Sequence, residues 1–154
     1  FTTDYIRHFV LALAFFAFSV VQLDISFNFM KIVLLIVNVL GGTLINAAAM
    51  LIFSTPNFWM VRGSGIVDLF YYEAIPFIRY PITIFPLFLQ VTLTCILPYA
   101  FINFFPAQYF LGKTDFSIFS PLFQYLTPLV GVVAFSISIW FWNWGLKKYQ
   151  STGS

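Results

Sequence analysis

The sequence predicts an all-α membrane protein: a single domain over residues 1–154, built as a helical bundle with about four transmembrane spans. Three observations carry that expectation. Of the 154 residues, 61% are hydrophobic and 22% aromatic. Only 8% are charged, against roughly a quarter in a soluble domain. Seven basic and five acidic groups cannot clothe a water-facing surface, and disorder would need low hydrophobicity with high charge. The charges also fall between long uncharged runs, as they do in chains that cross a bilayer.

The first run lies between Arg7 and Asp24, and a span is expected over residues 6–24. Its 16 uncharged residues would make a helix of about 24 Å, short of the ~30 Å hydrocarbon core. Snorkelling of Arg7 and an extension through Ile25 and Phe27 would close the gap. The second span, 32–53, needs no such help. Its 13 Leu, Ile, Val and Phe residues contribute about −4 to −8 kcal/mol on an insertion scale. Within it, Gly41, Gly42 and Thr43, followed by Ala47, Ala48 and Ala49, place small residues four apart. Such spacing lets helices approach closely, with Asn38 and Asn46 expected to hydrogen-bond across the contact. Packing is favoured over a substrate site for this patch.

No charge occurs between Arg79 and Lys113, but Pro81, Pro86, Pro98 and Pro106 interrupt the run. Proline removes a backbone donor and clashes with the preceding turn, so one straight helix through all four is excluded. A span over 82–104 bent near Pro98 is expected, with the chain turning back at the surface around Pro106. Ser120-Pro121 and Thr127-Pro128 each read as a capping hydroxyl before a first-turn proline. The second opens a last span over 128–146. Trp140, Trp142 and Trp144 then meet Lys147 and Lys148, an aromatic belt passing into water.

Four spans put both termini on one side. Arg7, Arg62, Arg79, Lys147 and Lys148 share that side, against Lys31 and Lys113 on the other. The positive-inside rule makes the termini and the 54–80 loop cytoplasmic in a plasma or inner membrane. That loop contains Ile66, Val67, Leu69, Phe70, Tyr71, Tyr72, Ile75 and Phe77, interrupted only by Asp68 and Glu73. It is too apolar to be free, and a cytoplasmic interfacial helix is expected, lying on the membrane or against a partner.

Chemistry-bearing motifs are few. Gly112-Lys113-Thr114 has the end of a phosphate loop, but Ala107 stands where the first glycine belongs, so nucleotide binding is not expected. Gly63-Ser64-Gly65 resembles a nucleophile turn with Arg62 in place of its first glycine, and Ser64 reads better as a helix cap. His8 at a span edge and the single Cys95 supply no metal or haem ligand set. No catalytic residue and no metal site is expected, and a net charge of +2 from so few groups does not call for nucleic acid. The 22 Phe suit a path for a lipid, drug or other amphiphile, and equally suit ordinary lipid-facing packing.

Arg79-Tyr80-Pro81, Phe85-Pro86, the run ILPYAFINFFPAQYFLGK over 96–113 and the tail WGLKKYQSTGS over 144–154 resemble a known family. They are similar to the C-terminal half of an ATP-binding-cassette exporter permease of the type-two class. The resemblance implies an ATP-driven exporter subunit without a nucleotide site or cofactor of its own, ATP and Mg being held by a cytoplasmic ATP-binding subunit. It also implies a second permease copy as partner, besides membrane lipid. By the resemblance, 63–80 is a coupling element and 106–125 an external re-entrant segment. The coupling residues would be Asp68, Phe70, Tyr71, Glu73 and Arg79. Pro81, Pro86, Pro98, Pro106, Gly112, Tyr149, Ser151 and Gly153 would be structural motif positions. The four spans then correspond to spans three to six. The chain opens at Phe1 rather than Met, so two spans are expected either to precede Phe1 in the natural protein or to be lost. A non-transporting membrane scaffold or assembly subunit is the alternative.

Overall fold

The computed structural model describes residues 2–59, 65, 71–116 and 118–148. All regular structure among the described residues is helical. The α-helices are α1 (Thr2–Gln22), α2 (Phe29–Ser54), α3 (Ile75–Ile78), α4 (Leu87–Val91), α5 (Phe104–Leu111) and α6 (Thr127–Lys147). The run Phe29–Phe58 and α6 are each long and apolar enough to cross a membrane. A third crossing arises if Leu87–Ile96 and Pro98–Leu111, bent by 73°, are taken as one broken span. The apolar part of α1, Ile6–Gln22, is shorter. The molecule is an all-α membrane protein.

Helix α2 starts where Asn28 turns its side chain onto the helix: its Oδ1 accepts from the Lys31 amide at 2.9 Å. That replaces one of the hydrogen bonds missing at any helix N-terminus. At the other end α2 tightens into a 3-10 turn, Thr55–Phe58, with Pro56 in its first turn. Beside it lies α6. Gly41 meets Thr127 and Pro128 at the start of α6, and Gly145 near its end meets Thr55 and Phe58. The two helices therefore run side by side in the same direction. Gly131 packs onto the backbone of Gly41, where an added Cβ would lie 2.5 Å from the Gly41 carbonyl oxygen. Gly41, a member of the small-residue patch, thus serves close helix contact.

The run expected as a span over 82–104 bent near Pro98 is made of several short pieces. A 3-10 turn, Ile82–Ile84, precedes α4, which opens after Pro86. A π turn, Thr92–Ile96, follows, closed by the Leu97 amide donating to the Thr92 carbonyl at 2.8 Å. Leu97 is extended, φ −110° and ψ 93°, the region forced on a residue before proline. The chain bends there, and Pro98–Phe101 forms another 3-10 turn leading to α5.

Pro106 does not mark a surface turn. It is buried in the first turn of α5, where its missing N–H would have had no helical partner anyway. The reversal comes at Gly112, whose φ of +61° only glycine adopts freely. The Gly112 amide donates to the Tyr109 carbonyl and the Lys113 amide to the Gln108 carbonyl, at 3.3 and 3.0 Å. This is the Schellman closure of a helix. The return leg packs back on α5: the Phe105 ring, fully buried, contacts the rings of Phe101, Phe119 and Phe123 at 4.8, 5.8 and 5.3 Å. The core is centred here, where Ile82, Leu93, Tyr99 and Phe104 join it.

Ser120 caps as expected, its Oγ accepting from the Leu122 amide at 3.3 Å. Thr127 does not. It lies inside the first turn of α6, and its hydroxyl donates to the Phe101 carbonyl at 2.8 Å. The bend leaves that carbonyl facing the start of α6, so tertiary satisfaction wins over local capping.

Candidate substrate cavity and coupling segment

Between α1, α2 and α5 lies a pocket of about 680 Å³, within the range typical of small-ligand sites. Its α2 wall is the stripe Leu35, Asn38, Val39, Gly42, Thr43 and Asn46, spaced as one helix face. Phe16, Ser19 and Val20 of α1 face it, and Asn103, Ala107 and Phe110 complete it from the hairpin side. The small-residue patch of α2 is thus divided. Gly41 serves packing against α6, whereas Gly42 and Thr43 border the pocket, with Ile102 close to Gly42.

Most polar groups around this pocket are already committed. Ser19 and Thr43 hydroxyls donate to the Phe15 and Val39 carbonyls of their own helices, each at 2.8 Å. Asn103 Nδ2 donates to the Ile78 carbonyl at 3.2 Å, tying α3 to the hairpin. Asn38 is different. It is 4% exposed, and neither its Oδ1 nor its Nδ2 has a hydrogen-bond partner. The expected bond across a helix contact is therefore not made by Asn38, which shares the buried stripe of α2 with Gly41 and Ile45 and also borders the pocket. A buried polar group left unpaired costs about 1–3 kcal/mol.

At one end the pocket continues into a second, of about 390 Å³, with Leu23, Ile25, Phe110 and Leu111 lining both. Asp24, Lys31 and Lys113 line this outer part. The two lysines assigned to one membrane side from the charge count therefore meet at one end of the molecule. At the opposite end of α2 and α6, Phe58 and Trp59 pack edge-on against Trp142 and Trp144, at 4.7 and 5.3 Å between ring centres. Lys148 Nζ lies 4.4 Å over the Trp144 ring, a cation–π contact.

A model of the ABC-2 family transporter proteins matches residues 1–153. The chain belongs to that family. No curated protein and no solved structure matches it significantly. The molecule is accordingly a membrane permease of an ATP-binding-cassette transporter, a transport subunit located in a membrane.

In this permease Gly112-Lys113-Thr114 closes a helix, whereas a phosphate loop must open one, so the tripeptide lacks the backbone geometry that cradles phosphate. Among the described residues no group of His, Cys, Asp and Glu could hold a metal ion. Of the expected coupling residues, Asp68 and Phe70 lie outside the described residues, as do Arg62 and Ser64. Tyr71, expected as an anchor for a partner, is instead buried in the chain's own core at 8% exposure. Glu73 and Arg79 are exposed. The ring this turn presents outward is Tyr72, stacked edge-on on Tyr71 at 5.1 Å. Sequence reasoning missed Tyr72, since two adjacent tyrosines in an apolar stretch carry no sign of which one faces inward. Pro81, Pro86 and Pro98 each stand at the start of a short helical piece, and Gly112 ends α5. Tyr149, Ser151 and Gly153 lie outside the described residues.

Proposed function

We propose that this permease exports an amphiphilic substrate, lipid-like or drug-like, with energy from ATP and Mg bound on a separate cytoplasmic ATPase subunit, and that it works as a pair of permease copies. The family match over residues 1–153 carries this reading, and the apolar pocket with its unpaired amide fits a substrate that is mostly hydrocarbon with a polar group. Four crossings are proposed: α1, α2, the broken pair Leu87–Leu111, and α6, with both ends cytoplasmic. The parallel packing of α2 and α6 supports this count. Two neighbours running in one direction require the chain between them to return across the membrane, and the broken pair is the segment available to do so.

Coupling is assigned to the 54–80 segment. Nucleotide closure on the ATPase can move the membrane helices only if it biases an element with two stable arrangements. Asp68 and Glu73 are the acids of this segment and would meet basic residues of the ATPase, with Arg79 leading back to the membrane helices. Because α3 is tied to the hairpin through the Asn103–Ile78 bond, a push on this segment reaches the pocket wall directly. The double substitution Asp68→Lys with Glu73→Lys is expected to leave membrane insertion normal, reduce co-purification of the ATPase subunit and abolish transport-stimulated ATPase activity. Full partner binding and full export in that variant would reduce the segment to a surface anchor.

A further inference from the structure

The two joined pockets form one cleft with an apolar inner part and a charged mouth. Resting on the reading of this cleft as the substrate cavity, we infer that it binds an anionic membrane lipid, headgroup between Lys31 and Lys113, chain in the pocket between α1 and α2.

Three observations converge. First, the mouth holds two lysines and one carboxylate, Asp24, so it carries an excess positive charge suited to a single negative headgroup. Lys31 Nζ donates to the Ser26 carbonyl at 2.8 Å, which holds the ammonium in place and leaves its other hydrogens available. Second, the residues shared by the two pockets are Leu23, Ile25, Phe110 and Leu111, so the path inward from the lysines is hydrocarbon. A free anion gains nothing from such walls, whereas an acyl chain does. Third, Asn38 lies seven residues below Lys31 on the same helix, about 10 Å deeper, buried and without a partner. Turned into the pocket, its carboxamide can both donate and accept, which suits the ester, amide or hydroxyl groups that join a lipid headgroup to its chains. A ligand offering charge, then a hydrogen-bonding linkage, then hydrocarbon matches the cleft in order.

The test uses the purified full chain in neutral detergent, with binding read by native mass spectrometry. The probes are phosphatidylglycerol, phosphatidylcholine and inorganic phosphate. Phosphatidylglycerol is expected to bind more tightly than phosphatidylcholine, by roughly fivefold for each lysine that engages it. Lys31→Gln with Lys113→Gln, at half-buried and exposed positions, is expected to bring the two lipids within about twofold of each other. Asp24→Asn should widen the preference instead. Asn38→Leu should weaken both lipids alike while raising the melting temperature of the lipid-free chain, an opposition that a purely structural asparagine would not produce. Equal binding of the two lipids to the unaltered chain, a preference surviving the double lysine variant, or unchanged lipid affinity in Asn38→Leu would overturn the inference. So would inorganic phosphate binding as tightly as the lipid, since the site would then be one for a free anion. Any of these results alongside intact ATP-driven export would remove the lipid site and leave the transporter reading standing.

Discussion

Replacing Gly131 by alanine tests the contact that holds α2 and α6 together. A Cβ at this position would lie 2.5 Å from the Gly41 carbonyl oxygen, 3.0 Å from its Cα and 3.1 Å from its carbonyl carbon. All three are backbone atoms, so no side-chain rotation relieves the overlap. Reaching the 3.4 Å of ordinary contact requires the helices to separate by about 0.9 Å at the crossing. Small additions to a packed contact cost about 1–3 kcal/mol, and this one belongs at the upper end because both partners are main chain. Reversible unfolding in mixed micelles of increasing denaturing-detergent fraction would measure the loss. Gly41→Ala should cost a similar amount, since its Cβ would meet Pro128 Cα and the Thr127 carbonyl oxygen at 2.8 Å. The double variant should cost less than the sum, because one separation relieves both overlaps. If Gly131→Ala stays within about 0.5 kcal/mol of the unaltered chain, the close crossing of α2 and α6 is refuted.

Thr127→Val removes the hydroxyl that satisfies the Phe101 carbonyl and leaves a buried acceptor unpaired, with an expected loss of about 1–3 kcal/mol in the same unfolding assay. Thr127→Ser should retain most of the stability. Lys113→Ala is expected to leave the ATPase activity of the reconstituted complex largely intact, and a collapse of nucleotide binding would restore the phosphate-loop reading. Gly112→Ala should destabilise by about 1 kcal/mol, because its φ of +61° strains any residue with a Cβ, although the space around it is open. Single cysteines introduced in a Cys95→Ser background should label from the cytoplasmic side at 62 and 148 and from the outside at 113. Labelling of 113 from the cytoplasmic side alone would reverse the proposed orientation.

Much of the architecture is readable in the sequence where it depends on local rules. The long uncharged run through α2, the small residue at 41, the bend near Pro98 and the Ser120 cap all follow from composition, steric size and proline chemistry. What escapes is decided by geometry between distant segments. Pro106 reads as a breaker in isolation, but a proline within the first helical turn breaks nothing, and the true reversal waits for Gly112. Thr127 has every local mark of a cap, yet a carbonyl 26 residues earlier takes its hydroxyl. Tyr71 and Tyr72 are the same residue type side by side, and only the tertiary core that Tyr71 joins decides which is buried. Asn38 is visible as a polar residue within a membrane run. That it has no partner is decided by tertiary packing, which no local pattern encodes.

The π turn at Thr92–Ile96 has a consequence for length variation in this protein. A π turn holds one residue more than an α turn at nearly the same axial span. Deleting a residue from an α-helix turns everything downstream by about 100°, which would swing α5 and its buried rings out of register. Deleting one between Thr92 and Ile96 can instead convert the wide turn into an ordinary one, so the bend at Leu97 keeps its direction. The segment is a one-residue reserve of slack placed just ahead of the bend, and shortening the chain there does less harm than shortening it within α2 or α6.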